Sequence, residues 1–249
     1  MRVAVFGYQS WRHRTLSAVI NAGHEVALVV THPKSEHPYE KMWADSVEDL
    51  AKEHELPVCV AERVGEDVLK ALRASAPDVI VAQQAIPVGS VDTTTDLVAK
   101  TIDLIEPLVE RALNDIAQGT ATKQPQDLTR ATYFHKRSEQ ESRIDFNQPA
   151  EDIALLVRAQ SDPYPNAYFE FRGQRIRVLS AHVSQGRFGG TPGRITIPYE
   201  GGIAVVCGSR RANEPSPAIV LDRVRLDDDS ELPATEFFGH RAGYIEPRV

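Results

Sequence analysis

The residues that could do chemistry fall at the ends of short apolar runs. Arg2-Val3-Ala4-Val5-Phe6 has the make-up of a buried strand, and Gly7-Tyr8-Gln9-Ser10 follows it as a tight polar turn. Ligands of open α/β sheets gather outside the carboxyl ends of strands, which makes that turn a place for substrate contacts. Asp78-Val79-Ile80-Val81-Ala82 is another such strand, yet only Gln83 and Gln84 separate it from the apolar Ala85-Ile86-Pro87-Val88. A junction that short offers amides beyond the strand, but no base or nucleophile. His24, His32 and His37 are near one another in sequence, but their spacing fits no helix-face or zinc-ligand pattern, and no metal site is expected. Cys59 and Cys207 each lie inside an apolar run, where a thiol serves as a small buried hydrophobe. Lys136 and Arg137 lie in a polar, basic stretch with two readings, a solvated connector or a pair of donors to an anionic substrate.

Hydrophobic period and turn punctuation place the elements that must position these groups. A helix after the first turn puts Leu16, Val19 and Ile20 on one face, with Ser10 as its cap and Gly23 as its end. Glu25–Thr31 is the second strand, so the chain opens βαβ with a parallel, right-handed crossover. Gly7 stands without the further glycines of a dinucleotide fingerprint, and a nicotinamide site is rejected. The loop from His32 to Trp43 leads to a helix capped by Ser46 and Asp49. With Tyr39 and Trp43 in it, that loop reads either as a substrate lid or as plain surface. Leu56–Val60 is a third strand and Asp67–Ala74 a helix with Val68, Leu69 and Leu72 inward. A long helix capped by Asp92 and closed by Gly119 carries Leu97, Val98, Ile102, Ile105, Leu108, Val109, Leu113 and Ile116 as one stripe, expected in the core.

The last hundred or so residues change style. After a connector from Thr120 to Ser142 come a helix over Ala150–Gln160 and the stiff turn Asp162-Pro163-Tyr164-Pro165. Strands are expected at Tyr168–Phe171, Ile176–Leu179, Ile195–Pro198, Ile203–Cys207 and Ile219–Leu226, with Gly173, Gly189-Gly190, Gly193 and Gly201-Gly202 as turns. Several short strands so punctuated suggest a small barrel. With 249 residues, 42% of them hydrophobic, the chain can fill two modest cores. Its formal charge of −7 argues against a sequence-blind grip on nucleic acid, which needs clustered Lys and Arg. No apolar run has the length of a membrane span and no signal-peptide pattern follows Met1-Arg2, so the expected compartment is the cytoplasm.

Four stretches together resemble the methionyl-tRNA formyltransferase family: VAVFGYQSWRHRTLSAVINAGHEVALVVTH, ADSVEDLAKEHELPV, APDVIVA, and ATYFHKRSEQESRIDFNQPAEDIALLVRAQSDPYPNAYFEFRGQRIRV. RSEQESRIDF and SDPYPNA are the more specific parts, and the likeness is closer to family members that formylate small amines. It implies a Rossmann-like parallel sheet followed by a small C-terminal OB-like β-barrel, divided as residues 1–119, a linker at 120–142, and 143–249. It also implies transfer of a formyl group from 10-formyltetrahydrofolate to an amine. The family's Asn, His and Asp for that work sit on an Asn-x-His-x-Ser-Leu-Leu-Pro stretch and a later Asp-x-Gly; this sequence contains neither. The block that should carry them is missing between Ala82 and Gln83, which shortens the sheet and leaves no catalytic residue to assign.

On this resemblance Tyr8, Gln9, Ser10, His32, Lys41, Trp43 and Arg137 would line the amine-substrate side. The acceptor favoured by the THPKSEHPYEKMW loop is hydroxyornithine, in siderophore biosynthesis, ahead of a sugar nucleotide, with initiator tRNA third. Folate binding by a chain without the block is in question, and so is turnover. A non-catalytic homologue that binds substrate or partner is the alternative. No nucleic-acid or membrane partner is expected, whereas an uncovered sheet edge would favour a homo-oligomer.

Overall fold

The computed structural model describes residues 1–7, 9–33, 45–62, 65–75, 85–122, 127–135, 138–210, 214–239 and 243–245. The expected strand at 78–82 and the junction after it lie outside the described residues. The chain divides into two compact units, Met1–Val88 with Asp96–Thr132, and Gly89–Thr95 with Tyr133–Val249.

In the first unit β1 (Arg2–Phe6), β2 (Glu25–Thr31) and β3 (Val58–Val60) form a parallel sheet in that order. Alternation sends Val3 and Val5 of β1 to one face, where they meet Leu16, Val19, Val26, Val29, Val47, Ala51 and Leu113. Leu28, Val30 and Val68 pack on the other face, so helices cover both sides, as a parallel sheet requires. The covering helices are α1 (Gln9–Asn21), α2 (Val47–Glu53), α3 (Glu66–Ser75) and α4 (Thr94–Ala117).

Several helix ends follow their sequence signals, but α4 starts at Thr94, two residues past the expected cap Asp92, whose carboxylate accepts instead from Gly89 N at 2.6 Å. Ser46 accepts a bond from Asp49 N at 3.0 Å and caps α2. Gly23, at φ 71°, ends α1: Gly23 N donates to Ile20 O and His24 N to Val19 O, the paired bonds of a Schellman motif. Gly119 ends α4 in the same way, with Thr120 N donating to Asp115 O. α2 uses Glu55 at φ 53° for this role, and Leu56 N donates to Ala51 O. That bond removes Leu56 from the third strand, which is shorter than expected and starts at Val58. Ser10 is another correction: it lies inside the first turn of α1, because the helix begins at Gln9. Of the stripe on α4 only Leu113 is fully buried; Leu97, Val98, Ile102, Ile105, Leu108, Val109 and Ile116 are half-buried.

The second unit is a curled antiparallel half-barrel. Its strands are β4 (Ala167–Phe171), β5 (Gln174–Phe188), β6 (Arg194–Tyr199), β7 (Gly202–Val205), β8 (Ser216–Arg225), β9 (Glu231–Pro233) and β10 (Gly243–Tyr244). Their order is β10-β6-β7-β8-β5-β4, with β9 beside β8. β5 runs far beyond the expected Ile176–Leu179, because it stays paired with β8 as far as Phe188 through three register shifts that bend it. Helices α5 (Ala150–Ala159) and α6 (Ala234–Phe238) complete a core of Ile153, Val157, Phe169, Phe171, Ile176, Val178, Ile219, Leu221, Phe237, Phe238 and neighbours.

The two specific stretches of the sequence close this unit. In RSEQESRIDF, Ser138 N and Oγ both donate to Glu141, and Ile144 N donates to Tyr168 O at 2.7 Å. Ile144 and Phe146 enter the core, and Gly208 N donates to Phe146 O. Gly208 has to be glycine, since a Cβ there would stand 1.7 Å from Asn147 O. In SDPYPNA, buried Asn166 donates to Gln160 O and accepts from Arg225. Arg225 also grips both oxygens of Asp162, at 3.0 and 2.9 Å, and Glu231 at 2.6 Å. The Arg225 bonds hold the Asp162 carboxyl below its ordinary range.

Candidate functional site

The carboxyl end of the parallel sheet is where the sequence places its substrate contacts, and the first two strands finish there side by side. Gly7 N donates to Val30 O at 2.9 Å, and Phe6 pairs with Val30. His32 follows β2 at that end, exposed, with Nδ1 3.0 Å from Pro33 O. Gln9 and Ser10 open α1 across from it, so three of the seven expected contact residues share one end of one sheet. Tyr8, Lys41, Trp43 and Arg137 lie outside the described residues.

The turn after β1 is built from unusual backbone. Gly7 has φ 121° and Gln9 φ 66°, and the latter is a conformation that non-glycine residues rarely adopt. Across Gly7 lies the side chain of Arg12: a Cβ on Gly7 would be 2.4 Å from Arg12 Cγ and 2.9 Å from Nε. Arg12 makes no hydrogen bond or ion pair among the described residues. Ser10, 5% exposed, likewise has no partner among them, and the first turn of α1 holds no acid. The sequence reading overlooked Arg12. The available signal was its place three residues into a helix that starts at the strand end, with glycine five positions earlier.

Neither thiol is a nucleophile candidate on geometry. Cys207 is buried, and burial pushes its thiol up to about 12, so it stays protonated near neutral pH. Cys59 is also free and half-buried on β3. Among the described residues no cluster of His, Cys, Asp and Glu could hold a metal ion. His135 Nε2 lies 2.9 Å from Glu141 Oε1, which places it beside the RSEQESRIDF strap.

A separate concavity of about 520 Å³ lies in the second unit, between the β5–β6 and β7–β8 loops. Phe188, Gly190, Pro192, Cys207 and Pro215 give it apolar walls. A smaller one of about 270 Å³ adjoins it across Gly208 and Ser209, with Arg187, Arg210, Glu151 and Glu214 around it. Both charges meet there, and Arg210 pairs with Asp152 at 3.3 Å.

The fit of a folate donor to the first site can be tested on the residues present. The family chemistry needs an acceptor for the amine proton and donors for the developing oxyanion. The sheet end provides Gln9, Ser10, Arg12 and His32, while the sequence contains no Asn-x-His and no Asp-x-Gly triplet. The described residues therefore do not furnish the transfer machinery, and no transfer step is derived from them.

A family model described as "Formyl transferase, C-terminal domain" matches residues 136–241. A methionyl-tRNA formyltransferase of Pseudomonas fluorescens is 32% identical over 155 residues, covering 62% of this chain and 46% of the relative. The chain thus spans about half the length of the curated relatives it matches. Among solved structures, the Helicobacter canadensis N-formyltransferase in complex with folinic acid and dTDP-3-aminofucose has a TM-score of 0.56 at 12% identity, covering 88% of this chain and 98% of that one. HypX from Aquifex aeolicus in complex with tetrahydrofolic acid has a TM-score of 0.50 at 16% identity, covering 100% of this chain and 51% of that one. At those identities the two structures speak for the fold alone. No described helix is long and apolar enough to cross a membrane. Residues 136–241 thus match a formyl transferase C-terminal domain, and the chain is similar over 155 residues to proteins named methionyl-tRNA formyltransferase.

Proposed function

We propose that the chain is an acceptor-binding member of the formyltransferase family, serving N-formylation of a small amine, with little or no turnover of its own. The observation that carries this reading is the occurrence in one chain of a match to a formyl transferase C-terminal domain and a sheet end that gathers polar contacts but lacks the family's Asn, His and Asp. The donor class is 10-formyltetrahydrofolate, supported by the folate complexes of the two structural neighbours. Tyr8, Gln9, Ser10 and His32, with Lys41, Trp43 and Arg137, are the proposed acceptor contacts. Hydroxyornithine and a nucleotide-linked amino sugar are the acceptors to set against each other; a tRNA comes third, given the charge of −7. The proposed domains are residues 1–119 and 143–249, joined by 120–142, with OB-like closure of the second.

Calorimetry with folate and with each acceptor separately tests the reading. The expected result is acceptor binding that survives with folate affinity lost or much reduced. Tight folate binding with no affinity for any amine would overturn it.

A further inference from the structure

Arg12 is an exposed charged side chain without a hydrogen bond or ion pair among the described residues, at the sheet end where a ligand is expected. Its stem lies against the backbone of Gly7, where a β-carbon would come within 2.4 Å of Arg12 Cγ. The guanidinium is thereby held beside the end of β1, with Nε 2.9 Å from the same point. Two residues of positive φ, Gly7 at 121° and Gln9 at 66°, flank the turn beneath it. A non-glycine residue kept in that conformation is strain that the surrounding structure maintains, and such strain gathers at ligand sites. Arg14, two residues further on, is engaged by contrast: it pairs with Glu106 at 3.4 Å.

We infer that Arg12 is the acceptor-specificity residue of this sheet end, and that the acceptor it selects carries an anionic group, a carboxylate or a phosphate, besides its amine. A guanidinium presents a planar fork of donors that matches either anion. No acid in the first turn of α1 competes for it. Buried Ser10, without a partner among the described residues, supplies a hydroxyl in the same turn. The inference rests on the acceptor-binding reading above and adds the chemistry of the acceptor to it. The carboxylate of an amino acid and the phosphate of a sugar nucleotide are the two sources of that charge.

Calorimetry on the full chain distinguishes the sources through matched pairs. Ornithine is compared with 1,4-diaminobutane, which lacks the carboxylate, and a nucleotide-linked amino sugar with the free amino sugar. Binding is expected for the charged member of one pair only, and the pair that responds names the source. Arg12→Gln should weaken that binding about 10- to 100-fold, the usual range for a lost charge-assisted bond, while leaving the uncharged member unaffected. Gly7→Ala should reproduce the loss by displacing the guanidinium, and Arg14→Gln should not. Thermal melts of each variant separate lost binding from lost folding, and inorganic phosphate as competitor gives a second reading of Arg12. Affinity for a charged acceptor that is unchanged in Arg12→Gln would overturn the assignment while leaving acceptor binding intact. Absence of binding by any of the four ligands to the wild-type chain would remove both.

Discussion

In the C-terminal unit Arg225, Asp162, Ser138 and Glu141 are taken up by structure, although Ser161 Oγ and Arg158 Nε stay buried without a partner among the described residues, whereas at the carboxyl end of the N-terminal sheet Arg12 and Ser10 are not taken up. Arg225 bonds Asp162, Asn166 and Glu231 at once, and Ser138 and Glu141 satisfy one another. Arg12 and Ser10 have no such partners among the described residues. The cores differ too: the second unit buries one aromatic-rich cluster around Phe169 and Phe238, the first a smaller set of mainly Val and Leu side chains on each face of three strands. A motif consumed by packing explains a fold. Polar groups left over at a strand end point to a ligand.

The largest expected effect tests the packed side of this contrast. Phe169 is 1% exposed between Phe146, at 5.6 Å, and Phe238, at 6.4 Å. Phe169→Ala should cost about 3–5 kcal/mol, read as an earlier urea transition of the C-terminal unit. Gly208→Ala comes next: the strap at Asn147 would have to move, at a cost of about 1–3 kcal/mol in the same measurement. A change below a few tenths in either variant would mean that the core and the strap are looser than their geometry.

Arg225→Gln should cost about 1–2 kcal/mol near neutral pH, held to the low end because Asp162 is half exposed. The sign with pH follows from the depressed Asp162 carboxyl. Its contribution is fully present above the unfolded value of roughly 4, and is lost as pH falls through the lower folded value. The gap between wild type and Arg225→Gln should therefore narrow in acid, and Asp162→Asn should flatten that part of the wild-type profile. The smallest effect belongs to the N-terminal unit. Glu55 occupies a left-handed position at φ 53°, and Glu55→Gly should raise the stability of that unit by about 1 kcal/mol.

Much of the fold was legible because local signals agreed with the global one. The βαβ opening, the Schellman glycines at positions 23 and 119, and the Ser46 cap all fall where period and punctuation put them. The misses have physical causes. A non-glycine residue, Glu55, ended α2 in the left-handed conformation and shortened β3, and no propensity marks that. β5 was cut short in the reading because bulges interrupt its alternation, while its pairing with β8 carries on. The strand at Glu231–Pro233 and the helix Ala234–Phe238 escaped because both are too brief to show a period. For the site, Gln9, Ser10 and His32 were legible as strand-end residues. Arg12 was not, since its place over Gly7 is a property of the folded backbone.

The central claim is that the acceptor side of a formyltransferase persists here without the residues that move the formyl group. Its most direct test is a single-turnover assay of the full chain with 10-formyltetrahydrofolate labelled at the formyl carbon and saturating ornithine-type or sugar-nucleotide amine. The account predicts no label in the amine beyond the uncatalysed background. Transfer at a rate near that of an intact family member would contradict it.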